Sequence, residues 1–171
     1  MPRQISKPTP QEFGAYYQGY INKVDGNPID VLTRQIDQYT DFINKNSDRM
    51  DYRYADGKWS IRESLIHLID TEQIFAYRAL RISRGDITPL AGFNQDDYIS
   101  NNNFDHITPW DISEELTHQR RATLSMIKKF TDDQISNVGV ASETNTSVRA
   151  LIYIMAGHAQ HHLDLFNERY L

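Results

Sequence analysis

The segment from Trp59 to Gly85 constrains this chain more than any other part of it. Ser60-Ile61-Arg62-Glu63 is a capping box, in which the serine hydroxyl and the glutamate carboxylate satisfy backbone amides that the first turn of a helix leaves without acceptors. Trp59, one residue ahead, is placed to act as a hydrophobic staple. The spacing predicts a helix from about 61 to 83, stopped at Arg84-Gly85, where glycine takes the left-handed cap. Its apolar residues Ile61, Leu65, Ile66, Leu68, Ile69, Ile74, Phe75 and Leu80 point in nearly every direction. A long helix that is apolar almost all round needs other elements around it, so it is expected at the centre of a helical domain.

The remaining segments supply those neighbours. Thr9 as cap and Pro10 at the first helical position open a short helix carrying Phe13, Tyr16, Tyr17 and Tyr20, which stops near Asp25-Gly26-Asn27-Pro28. Ile29, Leu32, Ile36, Tyr39 and Ile43 then repeat at helical spacing. Thr108-Pro109 opens another helix through Ile112, Leu116, Leu124 and Ile127 to about Phe130, and Thr131 with Gln134 makes a second capping box. After Gly139 a polar loop is expected, with Ser147 capping a last helix through Leu151, Ile154, Met155 and Leu165. The fold class is all-α: a four-helix bundle with a short N-terminal helix and a long crossover connection after the central helix. That connection, 86–107, contains Pro89, Gly92 and Asn101-Asn102-Asn103, with one or two helical turns at Asp96 to Ile99. It reads equally as a crossover spanning the bundle or as a lid over a site, and the two are compatible. Residues 1–171 are expected to form a single domain, with 1–8 as a flexible N-terminal lead.

Composition narrows the chemistry. Cysteine is absent, so no disulfide, thiolate nucleophile or iron–sulfur cluster can form within the chain, and any metal must be held by imidazole, carboxylate or carbonyl groups. The net charge is −5, and basic residues occur singly or in pairs such as Arg120-Arg121 and Lys128-Lys129, which read as solvated faces. Nucleic-acid binding needs a dense basic patch and is not expected. The longest apolar run, Leu151 to Gly157, is far short of the roughly 20 residues that span a bilayer. The N-terminus has no apolar core for a signal peptide, so a cytoplasmic protein with no membrane association is expected.

Three of the six histidines fall in Gly157-His158-Ala159-Gln160-His161-His162. At about 100° per residue, His158 and His162 share the stripe that carries Leu151, Met155 and Leu165, one turn apart, where two imidazoles can grip one ion. The alternative is a pair of hydrogen-bonded core histidines, which would need partners for both rings. His161 lies at the edge of the stripe, roughly 60° from His158. The pair is not a peptidase motif, because Ala159 stands where His-Glu-x-x-His carries its general base. For a third ligand, His118 sits in a polar stretch and His106 in the loop. His67 lies mid-helix, more than about 90° from the centre of its apolar stripe, so periodicity alone leaves the choice open.

Several motifs in this chain resemble the DinB/YfiT-like metal-binding bundles. They are Lys58 to Glu72 (KWSIRESLIHLIDTE), Phe75 to Arg81 (FAYRALR), the Gly92-Phe93 turn, Ala156 to Leu163 (AGHAQHHL) and Glu168 to Leu171 (ERYL), in order and at matching spacing from about Phe13 onward. The resemblance implies a four-helix bundle in which His67, His158 and His162 hold one divalent ion, usually zinc or nickel, and it implies frequent homodimers. Relatives of this type include transferases and isomerases that use low-molecular-weight thiols, besides many proteins without established activity.

The expected function is therefore metal-dependent chemistry on a small-molecule substrate. An open three-histidine site would activate a small thiol cosubstrate, as in an S-transferase, or water, as in a hydrolase. The alternative is a non-catalytic metal- or ligand-binding bundle. Glu63, Asp70 and His161 are candidates to orient the ligating rings from behind, although ion pairs with Arg62 or Lys58 compete for the two carboxylates. Glu72, on an apolar stripe, calls for a cationic partner such as Arg78 or Arg149. Tyr98, Asn101 and Asn103 are candidates for the cavity mouth.

Overall fold

Ser60 does in three dimensions what its position predicts. In a computed structural model that describes residues 3–171, its side chain accepts from the Glu63 amide at 3.1 Å, while Glu63 accepts from the Ser60 amide at 2.7 Å. The helix they open runs Ile61–Ser83 and ends at Gly85, whose φ of +78° only glycine adopts at no steric cost.

Two 3-10 turns, Pro10–Glu12 and Ala15–Tyr17, lead into α1, Gln18–Asn22. The single N-terminal helix expected from sequence is thus broken, because Phe13 takes an extended conformation between the turns. Then follow α2 (Pro28–Lys45), α3 (Ile61–Ser83), α4 (Gln95–Ser100), α5 (Pro109–Ile127) and α6 (Asp132–Ser136). Strands β1 (Val138–Ala141) and β2 (Thr144–Ser147) precede α7 (Val148–Leu165), which continues into one π-helical turn, Phe166–Tyr170.

The hairpin replaces the expected polar loop. Its turn residues Ser142 and Glu143 both have positive φ, 48° and 63°, which matches the right-handed twist of a two-residue connection. Leu90 of the crossover adds to it, its amide donating to Val140 O at 2.9 Å while its carbonyl accepts from Ser142 N at 3.0 Å. Strands of four residues are too short to show an alternation that could be read beforehand.

The bundle consists of α2, α3, α5 and α7. Both α2 and α3 pack against α5 and against α7, so the consecutive helices α2 and α3 face each other across the bundle diagonal. Residues 3–8, rather than forming a loose lead, run against α7: Ile5 is buried, Tyr153 Oη donates to its carbonyl at 2.9 Å, and Arg149 donates to Ser6 Oγ at 2.8 Å. Residues 1 and 2 of that expected lead lie outside the described residues. No helix of the described residues is long and apolar enough to cross a membrane.

The core has two apolar clusters. One gathers Leu32, Phe75, Leu124 and the Val148 to Ala156 half of α7; the other gathers Tyr39, Ile69, Leu116, Ala159 and Phe166. On each long helix a polar residue or backbone group lies between the two. Arg120 of α5, fully buried, pairs with Glu72 of α3 (Nη2 to Oε2 2.8 Å) and donates through Nη1 to Leu32 O at 2.9 Å and Gln35 Oε1 at 3.1 Å. Gln35 in turn donates to Ala156 O of α7 at 2.9 Å. All four long helices are joined through this one layer. Glu72 thus takes Arg120 as its partner, whereas Arg78 donates to Ala91 O and Ser142 Oγ and Arg149 pairs with Glu12.

Candidate metal centre

The one-turn spacing of His158 and His162 on α7 places both imidazoles on its inward face, each 6% exposed, and α3 brings His67, 4% exposed, against them. His158 Nε2 lies 3.1 Å from His67 Nε2 and 3.1 Å from His162 Nε2. One nitrogen from each ring falls in a set whose members are all within 4.8 Å of one another. A single imidazole nitrogen carries either one proton or one lone pair, so His158 Nε2 satisfies at most one of its two neighbours by hydrogen bonding. The other contact is then left without a full hydrogen bond in a buried place. A cation removes that conflict, because all three lone pairs can face it. Nitrogens about 2.0–2.1 Å from a tetrahedral ion stand roughly 3.3 Å apart, close to the spacing seen here.

The outer nitrogen of His67 agrees with this arrangement. Thr71 Oγ1, one turn along α3, is 3.3 Å from His67 Nδ1, which lets Nδ1 keep the proton and leaves Nε2 as the lone-pair donor. His162 Nδ1, by contrast, is buried without a partner among the described residues. Burial depresses the pKa of His67 to about 4, and burial followed by mutual repulsion holds His158 and His162 well below 6.5. All three are neutral at neutral pH, the form that coordinates without first releasing a proton.

Aromatic rings enclose the cluster. Trp59 lies 4.8 Å from the His67 ring, Tyr20 of α1 meets His158 edge-on at 5.2 Å, and Phe166 lies 6.3 Å from His162. Two cavities reach it. One of about 310 Å³ touches His158 and is walled by Tyr16, Tyr17, Tyr20, Phe75 and the Phe93 to Asp96 stretch of the crossover. The other, about 230 Å³, touches His162 beside Trp59, Tyr54 and Tyr170.

Several residues expected at the site lie elsewhere. Glu63 binds Arg53 and its own cap instead of turning to His67. Asp70 makes no bond to His67; burial first, then the charge of Glu115, raises its carboxyl above the ordinary range. His161 is half-buried beside Tyr20 and His162, at ring distances of 5.4 Å to each, and stays outside the converging set. Tyr98 borders a different cleft with Phe93 and Arg78, while Asn101 and Asn103 are exposed and line neither cavity. In each case sequence spacing set the distance along the helix but not which way the side chain turned. Trp59 is no staple, since Ser64 offers it no apolar partner, and it faces His67. Thr71, one helical turn from His67, carried a signal that could have been found; Tyr20 and Asp96 did not, because they reach the site only through packing.

Gly157 makes that packing possible. A Cβ there would stand 1.9 Å from Tyr20 O and 2.4 Å from Tyr20 C, so the α1 backbone sits directly on α7 beside His158. Gly157→Ala is expected to cost about 1–3 kcal/mol, or roughly 2–12 °C in Tm, by displacing Tyr20 from beside His158. Gly19→Ala, with open space around its Cβ, is the matched control for thermal unfolding. Equal Tm values for the two variants would contradict the close approach.

Fold and site together define a helical bundle with a buried, three-histidine centre open to two cavities. The chain belongs to the DinB superfamily, whose family model matches residues 32–165. Among solved structures it resembles YfiT from Bacillus subtilis, at 16% identity and a TM-score of 0.70, over 95% of this chain and 90% of that one. YfiT is described as "a probable metal-dependent hydrolase with an unusual four-helix bundle topology". No curated protein sequence matches the chain.

Proposed function

We propose that this protein is a divalent-metal-dependent hydrolase of small molecules, with His67, His158 and His162 as the ligands. The convergence of three buried, neutral Nε2 atoms beside two cavities carries the reading. The description of YfiT agrees with it, and a donor set of imidazoles alone suits zinc or nickel. A divalent ion held by His67, His158 and His162 would supply Lewis acidity, which activates water and carbonyl groups toward hydrolysis. The protein does the rest. Thr71 fixes the His67 ring, Trp59 and Tyr20 keep bulk water from the centre, and the aromatic wall receives the body of the substrate.

The test is metal analysis of protein purified with zinc or nickel, followed by assay on activated esters and amides and on thiols with electrophiles. The wild type is expected to hold about one ion per chain, and His67→Ala, His158→Ala and His162→Ala to lose it together with ester turnover. A metal-free wild type would refute the centre. A loaded protein turning over only the thiol pairs would replace the hydrolase with a transferase.

A further inference from the structure

A metal centre that uses water needs somewhere to put a proton, and α7 has alanine at 159 where a base would be built in. The nearby carboxylates are mostly engaged. Glu63 is held by Arg53, Asp164 by Lys23 and Gln160, and Asp70 faces Glu115. Asp96 is different. It is the sole carboxylate among the residues lining either cavity, and it lines both, the one reaching His158 and the one reaching His162. It therefore borders both of the spaces that reach the histidines. It lies outside the ligand set, and Asn94 Oδ1 anchors its amide at 3.1 Å. Its carboxylate has no ion pair or side-chain hydrogen bond among the described residues, and the residue is exposed.

We propose that Asp96 is the proton acceptor of this centre, an assignment that rests on the hydrolase reading. An O–H bond of the attacking water breaks and its proton passes to Asp96 Oδ. The water oxygen bonds to the carbonyl carbon, and the bond from that carbon to the leaving group breaks. Protonated Asp96 then returns its proton to the leaving atom, so no oxidant, reductant or further co-reactant enters. The crossover connection thereby supplies both a cavity wall and a catalytic residue.

The experiment uses cobalt(II)-loaded full-length protein, whose visible absorption reports coordination, titrated with azide and assayed on p-nitrophenyl acetate. Asp96→Asn and Asp96→Ala are expected to take up cobalt as the wild type does. Both should bind azide roughly 3–10-fold more tightly, because a negative charge facing the open position is gone. Their ester turnover should fall about 100-fold or more, in kcat rather than KM. Asp97→Asn, which neutralises the next carboxylate on the same exposed helix but borders neither cavity, should match the wild type in both readouts.

Unchanged azide affinity in Asp96→Asn, an equal shift in Asp97→Asn, or retained turnover would each overturn the role of Asp96 while leaving the metal centre standing. Failure of the wild type to bind cobalt or to turn over the ester would overturn the hydrolase reading, and this proposal with it.

Discussion

Replacing Arg120 by alanine is expected to destabilise the protein by about 3–5 kcal/mol, lowering Tm by roughly 6–20 °C. Arg120 has no exposure and Glu72 only 6%, so the substitution strands a carboxylate in the core instead of releasing it to water. It also removes the donor to Leu32 O and Gln35 Oε1, and with it the layer that ties α2, α3 and α5 together. The cost belongs to the abandoned partner more than to the pair. The double variant Arg120→Met with Glu72→Met should therefore be far closer to wild type than the summed losses of Arg120→Met and Glu72→Met made singly, and within about 2 kcal/mol of it. Urea unfolding of the four proteins checks this. Additive losses would mean that the two side chains act independently, against the structure.

Metal-free protein is expected to lose stability steeply between pH 6.5 and about 4. Burial holds the folded-state pKa of His67 near 4, and those of His158 and His162 well below 6.5, so the fold favours the neutral rings while the unfolded chain takes up protons from pH 6.5 downward. A group depressed in the folded state contributes fully above its unfolded pKa, and that contribution drains away as pH falls. At pH 5 the loss from His67 alone is roughly 2 kcal/mol, a sizeable share of a typical domain's stability, and His158 and His162 add to it in the same direction.

Carboxylates do not explain the effect in this window. Burial opposes ionisation of Glu12, but hydrogen bonds from Arg149 and Thr9 outweigh it and hold the carboxyl at about 2, so it remains ionised at pH 5. Asp70, raised by burial and by Glu115, acts in the opposite sense. Urea unfolding in chelator at pH 7 and pH 5 measures the loss, and excess zinc at pH 7 should raise stability above that of the chelated protein through its binding free energy. Equal chelated stability at the two pH values would show that the histidines are not buried as described.

The boundaries of α2, α3, α5 and α7 were legible because caps and apolar periodicity act over three or four residues, the range on which a helix is built. The same local geometry revealed His158 and His162 as a pair. The reading failed where a side chain has several buried directions to choose from. His67 looked misdirected against the main stripe of α3, yet nearly every face of that helix is buried, and His67, Thr71 and Phe75 form a second stripe along the site. Arg120-Arg121 looks in sequence like a solvated basic pair; Arg121 is exposed, while Arg120 points inward to Glu72.

By itself the sequence determined the four long helices, the caps that open α3, α5 and α7, and two of the three converging histidines. The resemblance added His67. Tertiary structure alone decided that His67 meets His158 across 91 residues, that Arg120 serves Glu72 across 48, and that Tyr20 and Asp96 border the centre. The reason is physical. A helix fixes the direction of each side chain relative to its neighbours within a turn or two, but the diagonal placement of α2 and α3 and the close seat of α1 on Gly157 fix which of those directions meet.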